Sequence, residues 1–234
     1  MTRIVKDIIG CEALLALEEL TREETNSDAY RRARHTIGKE LGKSIHTNLP
    51  AEALKKHEIL LACTVEDADF LAKGVLDYFD ELGYSDRLKL ACFWNERSND
   101  PNVKIAPITR QYMEPPHDSS PIVVVLKSII SGTCVVKTNL SKLISIINPD
   151  RIFVAAPVML KGAEKKLSTT FPKSISERFF FLTFREDNRQ DEVTGNVLPG
   201  IGGDVYVRYG LGGKERKNKY IPTIVKERRK LAIA

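Results

Sequence analysis

The chain is poor in the residues that staple, anchor or ligate. Its 234 residues hold four cysteines, three methionines, one tryptophan and four histidines. Cys11, Cys63, Cys92 and Cys134 stand far apart and form no CxxC pair, which argues against a disulfide framework or a zinc-ribbon spacing. The first residues, Met1 to Asp7, contain no uninterrupted apolar stretch of the secretory kind. Together these features predict reduced thiols in a cytoplasmic protein. His35, His46, His57 and His117 show no HExxH-like spacing, so no metal motif is read from them. No apolar run approaches the roughly 18–20 residues that span a bilayer, and no membrane partner is expected. There is no internal repeat and no low-complexity segment.

What remains is an ordinary globular composition, 42% hydrophobic and 29% charged, in a chain long enough to bury a full core without staples. The formal net charge of +5 is unevenly placed. Between Lys214 and Lys230 eight basic residues face Glu215 and Glu227, so the rest of the chain is close to neutral. A basic C-terminal tail, solvated and partly helical, is the plain reading. Contact with nucleic acid is the sharper one.

Along the chain, Ile4, Val5, Ile8, Ile9, Ala13, Leu15, Leu17 and Leu20 predict a first helix over residues 4–20. Asn26, Ser27 and Asp28 are good helix starters. The recurrence of Tyr30, Ala33, Ile37, Leu41 and Ile45 then marks a second helix, ending near Leu49-Pro50. Ile59–Ala62 reads as a strand, Val65–Leu82 as a helix stopped by Gly83, and Leu88–Trp94 as a strand. The polar, proline-bearing stretch 95–120 reads as a long functional or mobile loop. Ile122–Leu126 is β-branched and uncharged, as expected of a strand covered on both faces. A Ser131-Gly132-Thr133 turn leads into a helix through Ile147. Arg151–Ala156 and Phe179–Phe184 are further strands, with a helix over Leu160–Leu167 between them. This alternation predicts an α/β fold with a mainly parallel sheet flanked by helices and an N-terminal helical arm. Ligands of such sheets bind beyond the carboxyl ends of the strands, which draws attention to the segments after residues 62, 94, 126, 156 and 184.

Two turns could carry chemistry. Leu126-Lys127-Ser128 through Ser131-Gly132-Thr133 runs from a buried strand to a helix N-terminus, where amides and hydroxyls can cradle a phosphate. Small residues chosen purely for geometry are the equally weighted alternative. Gly195 to Asp204 packs four glycines and a proline into ten residues, so its backbone is irregular and can approach a flat heterocycle closely. A simple connection is again the equal alternative.

Four stretches, in order, resemble the uracil phosphoribosyltransferase family of type I phosphoribosyltransferases. Asp28–Arg34 through Ile37–Leu41 to Leu49-Pro50 is similar to the family's N-terminal arm. Ile59–Thr64 and its helix sit where the family binds pyrophosphate. Val123–Leu126 through Ser131-Gly132-Thr133, with Arg151–Pro157 after it, resembles the loop that binds phosphoribosyl pyrophosphate and the strand that follows. Val197–Gly202 and Arg208-Tyr209-Gly210 resemble the uracil-binding loop. The resemblance spans residues 25–213. It implies a phosphoribosyltransferase-like fold with a helical arm (1–50), an α/β domain (51–213) and the basic tail (214–234). It also implies transfer of a phosphoribosyl group from phosphoribosyl pyrophosphate to uracil or another base, with Mg²⁺ as cofactor and a homo-oligomeric state.

By the same resemblance, Lys127, Ser128, Ser131, Gly132 and Thr133 would meet the phosphoribosyl group. Cys63 and Thr64 would meet pyrophosphate, and Val197, Leu198, Gly200, Gly202, Gly203 and Asp204 the base. Arg97 and Arg110, in the long loop before the main strand, are further pyrophosphate candidates, with a plain surface charge the favoured alternative for each. Arg185, Glu186, Asp187 and Asn188 lie at another strand's carboxyl end and are nominated without a role. No residue is assigned to the catalytic step. The departures are specific. Lys127-Ser128 stand where the family's loop begins with an acidic residue that holds the ribose hydroxyls, and Leu61-Ala62-Cys63-Thr64 lacks the family's arginine. A lysine there removes an acceptor, and an unpaired ribose hydroxyl costs about 1–3 kcal/mol. The alternative is therefore a catalytically altered homologue that binds a nucleotide, a nucleic acid or a partner protein, as a sensor or effector in a larger assembly such as a defence complex. A changed glycosyl-transfer reaction on the same scaffold is the third reading.

Overall fold

The computed structural model describes residues 3–6, 10–96, 106–192, 195–212 and 219–231. In chain order these form strand β1 (Arg3–Lys6), helices α1 (Cys11–Thr21), α2 (Ser27–Thr47) and α3 (Ala53–Lys56), and strand β2 (Ile59–Thr64). Helices α4 (Val65–Asp67) and α5 (Lys73–Glu81) follow, joined by a π-helical turn, and then strands β3 (Leu88–Asn95), β4 (Ile108–Met113), β5 (Ile122–Leu126) and β6 (Ile129–Ile130). Helix α6 (Cys134–Ile144), strand β7 (Arg151–Leu160), helices α7 (Ala163–Ser168) and α8 (Lys173–Ser176), and strand β8 (Phe179–Asp187) complete the main body. A short ribbon, β9 (Arg189–Gln190) and β10 (Val197–Leu198), precedes α9 (Val205–Arg208) and α10 (Thr223–Leu231).

The sheet has eight strands in the order β1-β8-β7-β5-β2-β3-β4, with β6 extending beside β7. Every pairing is parallel except β3 with β4. This is the expected mainly parallel α/β fold flanked by helices. Parallel strands need both faces covered, and every residue of β2 and β5 is buried. Alternate side chains serve the two cores. Leu61, Cys63, Val124 and Leu126 pack with Tyr30, Ile37, Leu41 and Phe79 of α2 and α5. Leu60, Ala62, Val123 and Val125 pack with Val136, Leu140 and Leu167 of α6 and α7.

Helix α2 begins where the sequence places it, with the Asn26 side chain accepting from Ala29 N at 2.9 Å. It crosses α5 backbone to backbone. A Cβ on Gly38 would collide with the Leu71 carbonyl, and one on Gly74 with the His35 carbonyl. Glycine at both positions sets how closely the two helices approach.

Four expectations need correction. Residues 3–6 are not the start of a helix but a parallel edge strand on β8, and α1 begins only at Cys11. The run Ile4-Val5 is β-branched, and pairing to β8 overrides a loose helical period. The stretch 95–120 is not a simple loop, because Ile108–Met113 closes the sheet as an antiparallel edge strand. Strand β7 runs on to Leu160, so the following helix starts at Ala163 rather than Leu160. The tail is not merely solvated. Ile224 and Val225 are buried, and the Asp69 carboxylate accepts from Thr223 N at 2.9 Å and Ile224 N at 3.0 Å, capping α10. Tyr220 also donates to Asp69, and Arg228 pairs with Glu114 at 2.7 Å. Lys226, Arg229 and Lys230 face outward.

Candidate functional site

The chain runs from β2 to β3 on one side of the sheet and from β5 to β7 and β8 on the other, so the order reverses between β2 and β5. A crevice beyond the carboxyl ends at such a reversal is the usual binding place of an open α/β sheet. Here it is filled. The Lys127 ammonium, one residue past β5, donates to Thr64 Oγ1 at 3.0 Å, Glu66 Oε1 at 2.9 Å and Asp67 Oδ2 at 2.7 Å. From α2, Arg34 Nη2 donates to the other Asp67 oxygen at 2.6 Å, and Thr64 Oγ1 donates to Asp67 Oδ2 at 2.8 Å. The side chains of Arg34 and Asp67 are 0% exposed and that of Lys127 only 12%.

Two carboxylates and two cations thus balance inside the protein. Burial pushes the Asp67 carboxyl upward most strongly, but Lys127 and Arg34 outweigh it and hold the group well below the usual carboxylate range. Burial likewise works to lower Lys127, and Asp67 and Glu66 overcome it and raise the ammonium. Arg34 Nε and Nη1 have no hydrogen-bond partner among the described residues, and its guanidinium carbon lies 5.8 Å from the centroid of the Tyr209 ring. The buried Tyr206 phenol is pushed up first by burial and then by Glu66 and Asp67, and its hydroxyl is also unpartnered among the described residues.

The second region lies across the sheet, at the carboxyl ends of β7 and β8. Strand β6 ends at Ile130, opposite Met159, and the Ser131-Gly132-Thr133 turn follows it into α6. Thr133 makes no side-chain cap on α6, and Gly132 faces open space. At the ends of β7 and β8 opens a cleft of about 780 Å³, lined by Lys161, Phe184, Arg185, Glu186, Arg189, Leu198 and Pro199 among others. One wall is the 197–204 loop, which contains a cis Leu198-Pro199 bond. Arg185 and Asp187 fasten that wall. Arg185 Nε donates to Asp187 Oδ1 at 2.9 Å, Arg185 Nη2 to Gly200 O at 2.6 Å, and Gly200 N to Asp187 Oδ2 at 2.8 Å. Lys161 and Arg189 carry no side-chain hydrogen bond or ion pair among the described residues, so two cations face the cleft unspent.

The loop's far side is bound to the N-terminal helices. Tyr30 Oη donates to Ile201 O at 2.9 Å, and Arg208 Nη2 to Leu20 O at 3.3 Å and Arg22 O at 3.0 Å. Arg31 donates to Tyr209 O, and a Cβ on Gly202 would strike the Leu20 carbonyl. Gly200, Gly202 and Gly203 all have positive φ, which only glycine adopts freely.

The sequence-predicted residues therefore divide. Leu198 lines the cleft and Gly200 is held by Arg185 and Asp187, whereas Ser131, Gly132 and Thr133 follow β6 and are not among the residues lining it. Lys127 and Thr64 belong to the closed switch point. Ser128 is buried, and Cys63 lies in the core paired in register with Cys92. The hydrogen bond with Cys92, and then burial, push the Cys63 thiol up. Arg110 stands on the edge strand β4, opposite Trp94, with its guanidinium 5.7 Å from the Trp94 ring centroid. Arg97 lies outside the described residues. Val197 is buried, Gly203 has space around it, and Asp204 caps α9 by accepting from Tyr206 N at 2.9 Å. Sequence reasoning missed Arg34, Glu66, Asp67, Lys161 and Arg189. Arg34 was detectable as a charge inside the apolar stripe of α2, between Tyr30 and Ile37. Lys161 and Arg189 follow strands that run further than their apolar cores suggest.

These features define a doubly wound α/β domain with one closed and one open carboxyl-end region. Among solved structures, the chain is similar to the AQ2163 protein from Aquifex aeolicus, at a TM-score of 0.71 and 14% identity over 90% of this chain and 99% of that one. It also aligns with the orotate phosphoribosyltransferase of Mycobacterium tuberculosis H37Rv, solved with 5-phospho-α-D-ribosyl 1-diphosphate, at a TM-score of 0.45 and 10% identity, covering 76% of this chain and 91% of that one. A hypoxanthine-guanine phosphoribosyltransferase from Bacillus anthracis gives a TM-score of 0.43 and 10% identity, covering 80% and 86%. No family model and no curated protein matches the chain.

Proposed function

We propose that this chain is a phosphoribosyltransferase-like domain that binds a nucleotide or sugar-phosphate ligand at the open rim of β7 and β8. The observation that carries the reading is the cleft itself. Its size suits a nucleotide, it lies at the carboxyl ends of parallel strands, and Lys161 and Arg189 face it unpaired. The Ser131–Thr133 turn would take the phosphate, and Phe184, Leu198 and Pro199 give a flat ring an apolar surface. Transfer of a phosphoribosyl group to uracil or another base is the stronger form of the proposal. A catalytically altered, nucleotide-binding homologue is the weaker form, and the closed switch point favours it. Pyrophosphate release needs cations free to meet the leaving group, whereas Lys127 and Arg34 are already neutralised by Glu66 and Asp67.

Isothermal titration of the purified chain with phosphoribosyl pyrophosphate, UMP and AMP tests this. Binding to wild type that weakens by about tenfold or more in Thr133→Asp and in Lys161→Glu supports the rim, a loss of about 1.4 kcal/mol. No binding of any of the three removes the reading. Turnover of phosphoribosyl pyrophosphate with uracil would establish the stronger form.

A further inference from the structure

The Mg²⁺ that the phosphoribosyltransferase resemblance implies does not fit the switch point as it stands. Among the described residues no group of three or more histidine, cysteine or carboxylate side chains could hold a metal ion. The two carboxylates at this reversal, Glu66 and Asp67, already hold an ammonium. Bringing a dication here would place it beside Lys127 and Arg34 in a buried volume, where like charges repel strongly and the carboxylates have no charge left to offer.

The surroundings of that ammonium have the character of a cation site. Three oxygens, from Thr64, Glu66 and Asp67, converge on Lys127 Nζ at 2.7–3.0 Å. A hydroxyl and two carboxylates are hard oxygen donors of the kind that, with waters, hold Mg²⁺ or Mn²⁺. Two of the three are firmly placed, Asp67 by Arg34 and Thr64, and Thr64 by its position at the end of β2.

We infer that Lys127 is a resident cation standing in place of a divalent metal, so that the domain binds its ligand without Mg²⁺, and that removing the ammonium uncovers a divalent-cation site on Thr64, Glu66 and Asp67. The first half rests on the nucleotide-binding reading above; the second does not. The ligand class narrows accordingly. A monophosphate can be met by the rim cations alone, whereas a metal-chelated pyrophosphate finds no free counter-charge at the switch point.

Mn²⁺ binding followed by electron paramagnetic resonance on the full chain tests the assignment. Wild type is expected to leave Mn²⁺ free. Lys127→Ala is expected to bind a single equivalent, competed by Mg²⁺, with a melting temperature that rises on adding Mn²⁺. Lys127→Ala with Asp67→Asn should lose that binding. Mn²⁺ held by wild type and released by Asp67→Asn would overturn the inference, as would a folded Lys127→Ala that binds none. If Lys127→Ala does not fold, the wild-type Mn²⁺ measurement still decides whether the position accepts a metal. UMP titrated into wild type with Mg²⁺ and with EDTA should give affinities within about twofold, and a tenfold dependence on Mg²⁺ would also overturn it. Failure of UMP to bind at all sinks the nucleotide-binding reading but leaves the Mn²⁺ result to decide the cation assignment.

Discussion

The two carboxyl-end regions of this sheet treat charge in opposite ways. Where β2 and β5 part, cations and carboxylates meet each other, and water is excluded from Arg34 and Asp67. Where β7 and β8 end, Arg185 and Asp187 hold the loop backbone, and Lys161 and Arg189 are left facing a cleft. The first region is part of the protein's own structure. The second keeps its charge for something else. A charged residue at a strand's carboxyl end therefore does not by itself mark a ligand site, and what decides is whether its counter-charge comes from within the chain.

Breaking the closed region should have the largest effect on stability. Asp67→Ala strands Lys127 and Arg34 in the interior, and a loss of about 3–5 kcal/mol is expected, read as a fall in the urea midpoint. Replacing Arg34, Glu66, Asp67 and Lys127 together by apolar residues of similar volume should recover most of it, because no lone buried charge remains. Gly38→Ala comes next, at about 1–3 kcal/mol, since the added methyl has the Leu71 carbonyl and Gly74 Cα in its path. Lys161→Glu should change stability by no more than about 0.5 kcal/mol while weakening nucleotide binding. An effect on folding as large as that of Asp67→Ala would erase the distinction between the regions.

The pH dependence sharpens the same contrast. Asp67 is held below its unfolded-state value of about 3.9, so its contribution is present above that pH and is lost as pH falls toward the folded value. Lys127 is raised, so its contribution is present below about pH 10.4 and is lost as pH rises through the higher folded value. The closed region should thus stabilise the fold evenly between about pH 5 and 10, with the acid limb moved to higher pH in Lys127→Met. Urea midpoints across pH check this, and an unshifted acid limb in that variant would remove Lys127 as the partner that matters.

Much of the fold was legible in the chain because buried parallel strands leave unmistakable apolar runs. Ile122–Leu126 and the stripe of α2 required no structure to be seen. Strand β4 was hidden because Thr109, Arg110 and Gln111 are exposed on an edge, where alternation is weak. Strand β1 was hidden because four residues carry too little pattern to compete with the helix after them. The site was less legible. The family resemblance drew Lys127 and Thr64 toward a ligand, yet their partners Arg34 and Glu66-Asp67 come from other elements, and no local pattern says that three segments will neutralise one another. The Ser131–Thr133 turn and the glycine loop were readable as turns from their residues, whereas the place of Lys161 at the cleft depended on where β7 stops.

The fastening of the 197–204 loop to α1 and α2 also has a consequence in time. Leu20, Arg22, Tyr30 and Arg31 leave the ribosome well before their partners Ile201, Arg208 and Tyr209, which lie 171 to 188 residues further along the chain. Until residues 201–209 emerge, Tyr30 lacks these partners and must wait, exposed or held by a chaperone. A nascent chain arrested before residue 200 should therefore expose Tyr30 to protease or dye, and release of the remaining segment should bury it.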